Sequence, residues 1–214
     1  MTLEAPTSRR EVVSRYFLLQ SQRPEGIAEV EMGKLDPFLR GLLFTDGTVT
    51  RALAVQILEP VSVEPLSQEE VAVPDALAGY LDVEPGEPSI RRRVAIGTGS
   101  TTFLWAESYL LPSRLPAGFF GELEDAADGI GQSVQRAGIE SSRELLWFGA
   151  AGVPEWALPA EGAAMCRLYR LVSDRKAAIL ISESFRVEWR SGAYRLAGLG
   201  PGTAAASPPA WGGR

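Results

Sequence analysis

Two stretches of this chain alternate apolar and polar residues on either side of a short polar break. That pairing constrains the fold more than any other feature. Residues 89–97 and 102–110 flank the turn Thr98-Gly99-Ser100-Thr101, and residues 167–172 and 177–187 flank Ser173-Asp174-Arg175-Lys176. Each unit reads as a β-hairpin, because β-branched and aromatic residues at period two suit strands and a short Gly- or Asp-containing break suits a tight turn. The regular strand–helix alternation of a parallel sheet is missing from the pattern. The expected class is therefore α+β, an antiparallel β-sheet to which both hairpins contribute.

Helical spacing occurs between and before the hairpins. Val12, Val13, Tyr16, Phe17 and Leu19 predict a short amphipathic helix within residues 8–22. Asp36-Pro37, followed by Phe38, Leu39, Leu42 and Leu43, predicts a helix over 36–44 with Asp36 as N-cap and Pro37 in the first turn. Residues 50–54 continue as a helical turn or an extended piece, and 56–66 read as a strand with uncertain ends at Pro60 and Pro65. Residues 67–88 are rich in Pro, Glu, Gly and Asp and read as a surface connection with a helical turn near 75–80. Helices are expected over 121–127 and 131–136, and residues 147–165 form a Gly-, Pro- and Ala-rich excursion without a clear pattern. The chain divides into an N-terminal extension over 1–34, a domain over 35–197 and a disordered Gly/Pro/Ala/Ser tail over 198–214.

The pattern breaks at one residue. Side chains alternate across a strand, so Ile179, Ile181, Phe185 and Val187 share a face with Glu183 in its middle. A carboxylate among isoleucine and phenylalanine is costly to bury unless it is paired or holds its proton. Either it is a functional group whose desolvation favours the protonated form, or the strand turns outward, or a nearby arginine pairs with it. In the preceding hairpin Val94 and Ile96 form one face, and Arg91, Arg93, Ala95 and Gly97 the other. Small residues beside an arginine leave room for a carboxylate ligand, which a guanidinium holds with two parallel bonds. Arg91 and Arg92 read as solvated surface arginines, and for Arg93 both readings stay open.

Composition narrows the chemistry. The chain has no histidine and one cysteine, Cys166. Ser-His-Asp and Cys-His catalysis, imidazole proton shuttling, a histidine-held zinc and an intrachain disulfide are all excluded. Cys166 reads as a small buried apolar residue. The acidic cluster Glu122, Glu124, Asp125 and Asp128 reads as a solvated helix face, so no metal site is expected. Gly129-Ile130-Gly131 lacks the third glycine and the preceding strand of a dinucleotide fingerprint. A formal net charge of −6 argues against nucleic acid or an anionic membrane as partner. The segment MTLEAPTSRREVV carries charges where a signal peptide needs an apolar run, and no stretch of about 18 apolar residues occurs, so a cytoplasmic protein, a monomer or weak dimer, is expected.

Four blocks carry a resemblance. LLFTDGTVTRAL (42–53), RRRVAIGTGSTTFLWAESYLLPSRLP (91–116), the Ile130-Gly131 step with its helix, and CRLYRLVSDRKAAILISESF (166–185) are similar in order and spacing to the chorismate pyruvate-lyases, and most to the divergent actinobacterial and archaeal branch. The resemblance spans residues 35–187. It implies a chorismate lyase-like antiparallel sheet with helices packed on one side and a cavity closed by helical flaps. It also implies cofactor-free elimination of pyruvate from chorismate to give 4-hydroxybenzoate. By position it implies that Arg93 holds the ring carboxylate and Glu183 meets the ring oxygen. Ile130 contacts ligand through its backbone, and Val49 forms an apolar wall. A second cation is needed for the enolpyruvyl carboxylate. Arg167 and Arg170 are available, and strand alternation lets only one of them point inward. The same fold serves non-catalytic domains that bind small aromatic or carboxylate metabolites, so that class is the alternative. Residues 1–34 are too short for a complete winged helix, which disfavours a DNA-binding regulator.

A chain without histidine and with a single thiol is expected to turn over chorismate undiminished in EDTA, read as pyruvate release. Loss of activity on chelation that a divalent metal restores would refute this.

Overall fold

The computed structural model describes residues 9–124, 129–157 and 162–199. From residue 200 onward the expected disordered tail lies outside the described residues, as do Asp125 and Asp128 of the acidic cluster.

Seven strands form one antiparallel sheet: β1 (Ser62–Ala72), β2 (Pro88–Thr98), β3 (Thr101–Leu110), β4 (Ser142–Gly152), β5 (Ala163–Ser173), β6 (Lys176–Arg190) and β7 (Ala193–Leu196). Their order is β1-β2-β3-β6-β5-β4, with β7 paired to the far end of β6. The two expected hairpins are β2–β3 and β5–β6, joined side by side through β3 and β6. Asp174 and Arg175 turn the second hairpin with φ of 48° and 62°, the left-handed pair that matches the twist of the flanking strands.

Helices α1 (Arg9–Tyr16), α2 (Pro37–Phe44), α3 (Val49–Ile57), α4 (Asp75–Leu81), α5 (Phe119–Glu124) and α6 (Ile130–Arg136) surround the sheet. The start of α2 is as the sequence predicts: the Asp36 carboxylate accepts from the Leu39 N–H at 2.7 Å, and Pro37 occupies the first turn. Leu39, Leu42 and Leu43 of α2, Leu53 of α3, Leu123 of α5 and Val134 of α6 pack with Val94, Leu104, Ile181 and Phe185 on one face of the sheet. The opposite face carries a second core, in which Ala78 and Leu81 of α4 meet Trp105, Tyr109, Leu168 and Leu180.

Three expectations change. The first strand covers 62–72 rather than 56–66, because Gln56 and Ile57 complete α3 and residues 67–72 extend the strand instead of looping. This is an edge strand, mostly exposed, so its sequence lacks apolar alternation; Pro65 sits at a register shift, where a missing N–H costs no ladder bond. Both ends of the 147–165 excursion are sheet: β4 runs to Gly152 and β5 begins at Ala163. Its small residues have a packing reason, since the N-terminal segment crosses them. Ala28 and Ala150 exchange backbone hydrogen bonds, and Leu18 and Leu19 donate to the carbonyls of Leu145 and Leu146. The first helix is also shorter than 8–22. It stops at Tyr16, and the chain then buries Phe17 in the core and lies along β4, covering an otherwise open sheet edge.

A Cβ added at Gly149 would meet the Ala28 carbonyl oxygen at 2.5 Å and Ile27 Cγ2 at 2.6 Å, whereas at Gly152 nothing lies within 4 Å. Gly149→Ala is therefore expected to destabilise the fold by about 1–3 kcal/mol, and Gly152→Ala by far less, in urea unfolding. Equal midpoints for the two variants would show that the N-terminal segment is not held against β4.

Candidate functional site

Across the middle of the sheet, hydrogen-bonded register aligns side chains of one face into rows. Val94, Ala106, Glu183 and Arg167 form one row, and Arg92, Ser108, Ile181 and Tyr169 the next. These rows, Arg167 excepted, floor a partly open cavity of about 60 Å³, roofed by Thr48, Val49 and Thr50 at the start of α3 and by Gly129, Ile130 and Gly131 at the start of α6. Gly129 has φ of +78°, and a Cβ there would also press on Val63 at 3.3 Å, so the loop reaches the cavity only as glycine.

Glu183 is 5% exposed and has two partners on its own face of the sheet. Arg167 Nε donates to Glu183 Oε2 at 2.7 Å, and the Tyr169 hydroxyl donates to Oε1 at 3.1 Å. Glu183 also lines the cavity. Arg167 is fully buried; its Nη1 donates to the carbonyls of Leu42, Leu43 and Thr45 at 2.7, 3.1 and 2.8 Å. Those carbonyls belong to the C-terminal end of α2, where a helix leaves acceptors unsatisfied and favours positive charge. Its guanidinium also lies 4.8 Å from the Tyr169 ring. Burial, and then the negative charge of Glu183, push the Tyr169 hydroxyl well above the ordinary tyrosine range, so it remains a donor to the carboxylate.

Arg143 of β4 also lines the cavity. Its Nη1 donates to the carbonyls of Asp46, at 2.6 Å, and Gly47, and its guanidinium stacks 5.4 Å from the Tyr169 ring. Arg143 and Arg167 thus fasten the chain from Leu42 to Gly47 onto the sheet and set the position of Val49.

The structure brings Glu183, Val49 and Ile130 together around the cavity and leaves Arg93 out. Arg93 points from the opposite face, where its Nε donates to Glu107 at 2.7 Å and its guanidinium covers Trp156 at 5.0 Å. Arg92 takes the place inside, 3% exposed, with Nη1 donating to Gln68 Oε1 at 2.9 Å and to the Leu123 carbonyl at 3.2 Å. The expected meeting of Arg93 with Glu183, and the reading of Arg92 as a solvated arginine, are both corrected by one fact. Position 92 has the parity of Val94 and Ile96, the face that register places opposite Ala106 and Ser108. That parity was present in the sequence. Of the two further arginines considered, Arg167 points inward and is taken up by Glu183, while Arg170 lies on the other face, bonded to Glu144 and Asp82 at 2.7 and 2.8 Å. Tyr169 and Arg143 carried no sequence signal beyond strand parity. Cys166 is buried as expected; burial pushes its thiol up, and its Sγ lies 3.4 Å from Ser184 Oγ.

A family model described as chorismate pyruvate-lyase Rv2949c-like matches residues 43–191. Proteins named chorismate pyruvate-lyase from Mycobacterium tuberculosis and Mycobacterium leprae are 27% and 28% identical to this chain; each match covers 74% of it, and 84% and 79% of the relatives. Among solved structures, the effector domain of PhnF from Mycobacterium smegmatis superposes with a TM-score of 0.53 at 16% identity, over 66% of this chain and 90% of its own, a likeness of fold.

Removing the charge of Glu183 strands a fully buried guanidinium. Glu183→Gln is expected to lower stability by about 3–5 kcal/mol, and Tyr169→Phe by about 1–3 kcal/mol for the lost bond to the carboxylate, both read in denaturant titrations. A Glu183→Gln protein as stable as the unsubstituted one would show that the pair is not the buried ion pair described.

Proposed function

The chain belongs to the Rv2949c-like chorismate pyruvate-lyase family, and on that premise we propose that it eliminates pyruvate from chorismate to leave 4-hydroxybenzoate, without metal or organic cofactor. The observation that carries this reading is the cavity on the sheet face in which a buried carboxylate and two arginines, Arg92 and Arg143, converge between apolar walls. Chorismate is a dianion with a cyclohexadiene ring, and such a site offers cations for its carboxylates and apolar contacts for its ring.

In the reaction the bond between ring C3 and the enolpyruvyl oxygen breaks, its electron pair leaving with the oxygen. The ring loses the C4 hydrogen as a proton and becomes aromatic, and the released enolpyruvate takes up a proton to become pyruvate. Aromatisation supplies the driving force, so the protein's part is to hold the ring in a reactive conformation and to guide the proton. Arg92 takes the role expected of Arg93, binding the ring carboxylate. Glu183, its charge balanced by Arg167 and its direction fixed by Tyr169, accepts a hydrogen bond from the ring hydroxyl at the carbon that loses its proton. Val49 and Ile130 press on the faces of the ring. The absence of histidine supports the cofactor-free reading, since carboxylate, hydroxyl and guanidinium groups suffice for these steps. Among the described residues no helix is long and apolar enough to cross a membrane.

Incubation with chorismate, followed by chromatography, is expected to yield equal amounts of pyruvate and 4-hydroxybenzoate. Arg92→Lys keeps the charge and loses the planar fork, so it should chiefly weaken 4-hydroxybenzoate binding. Glu183→Gln, where folded, should lower turnover by ~10²–10⁴-fold if the proton passes through the carboxylate. Tight 4-hydroxybenzoate binding with no turnover would mark a metabolite-binding domain of the same fold, and a different hydroxybenzoate isomer would correct the product.

A further inference from the structure

Resting on that reading, we infer that Arg143 is the second carboxylate anchor. It holds the enolpyruvyl carboxylate at a passage between the inner cavity and an outer pocket through which pyruvate leaves.

The inner cavity is small. At ~10–15 Å³ per water, about 60 Å³ holds only a few waters, and a ligand with a ring and a three-carbon side chain must reach beyond it. The adjoining space is an outer pocket of about 470 Å³ lined by Asp46, Gly47, Gln135 and Ser142 among others. Three residues line both spaces: Thr48, Gly131 and Arg143. They form the partition, and it is close-fitting. A Cβ added at Gly131 would stand 3.1 Å from Arg143 Nη2 and 3.5 Å from Thr48 Oγ1. Glycine at 131 is what leaves a gap beside the guanidinium.

Charge points the same way. Arg167 spends its charge on Glu183, and Arg170 spends its charge on the far face with Glu144 and Asp82. Arg143 bonds only to backbone carbonyls and a ring face, groups without formal charge, and no described carboxylate lies within ion-pair distance of it. Its guanidinium has five N–H donors, and the two carbonyls are both met by Nη1, so Nη2 and Nε can serve an anion at the passage. Arg92 and Arg143 stand on β2 and β4, four strand spacings or about 19 Å apart at the backbone, and both side chains line the one cavity between. This arrangement suits a ligand with two carboxylates at opposite ends, one of them on the leaving fragment.

The test compares a dianion with a monoanion. Chorismate affinity, read before turnover from stopped-flow tryptophan fluorescence, and calorimetric dissociation constants for 4-hydroxybenzoate are measured on the full chain and on Arg143→Gln, Arg143→Lys and Gly131→Ala. A lost charge-assisted contact predicts that Arg143→Gln weakens chorismate by about 10- to 150-fold and 4-hydroxybenzoate, which loses only the hold on the roof, by at least tenfold less. Arg143→Lys should fall between, and Gly131→Ala, which crowds Nη2 without removing a bond, should weaken chorismate selectively even if Arg143→Gln fails to fold. Equal weakening of both ligands, or unchanged chorismate affinity in the folded variants, overturns the anchor while leaving the lyase reading in place. Selective loss of chorismate binding in a protein that never releases pyruvate keeps the anchor and overturns the lyase. Binding of neither ligand to the unsubstituted chain overturns both.

Discussion

A carboxylate and a guanidinium, Glu183 and Arg167, face each other across β6 and β5 in the middle of the sheet, both nearly closed to water. Taking two charges out of water costs several kcal/mol each, and their attraction offsets that only when the remaining donors and acceptors are also met. Here most of them are met, from three directions, and Arg167 Nη2 is left as a buried donor without a hydrogen-bond partner among the described residues. Tyr169 donates to the carboxylate, the end of α2 supplies three carbonyls to the guanidinium, and an aromatic face lies alongside. A buried pair of this kind is weak as a source of stability. Its consequence is positional: the second hairpin and α2 are locked to each other, and one oxygen edge of Glu183 is presented to the cavity in a fixed direction.

The remainder of the site depends on that lock. The chain leaving α2 passes over the sheet from Leu42 to Gly47, held first by Arg167 and then by Arg143, before α3 begins at Val49. The roof of the cavity is therefore hung from two arginines on the floor. A site assembled this way can keep a charged group dry and oriented without metal ligands, because the helix-end carbonyls do the work of counter-dipoles. The sheet's second face is separately filled by α4, Trp105 and Trp147, and takes no part in the cavity.

Both hairpins, the cap of α2 and the burial of Glu183 were legible because each rests on local information: period-two alternation, a turn-forming pair, an Asp-Pro start, a charge out of place. The edge strand β1 and the β4–β5 region were not. An edge strand exposed on both faces has no reason to alternate, and the small residues at 149–151 answer to a segment more than a hundred positions away. The error at Arg93 is of another kind. Three consecutive arginines offer either parity, and the small residues at 95 and 97 favoured the wrong one; the decisive partners, Ala106 and Ser108, face position 92 only once β2 and β3 are in register.

By itself, then, the sequence determined an antiparallel α+β fold, a chemistry without imidazole, and a carboxylate out of place on the apolar face of its strand. These follow from residue type and from periodicities that hold within one element. Only the tertiary structure decided which arginine neutralises Glu183, which enters the cavity from β2, and which closes it from β4. That choice is a matter of strand order and register, and these are set by the simultaneous packing of both sheet faces rather than by any segment alone.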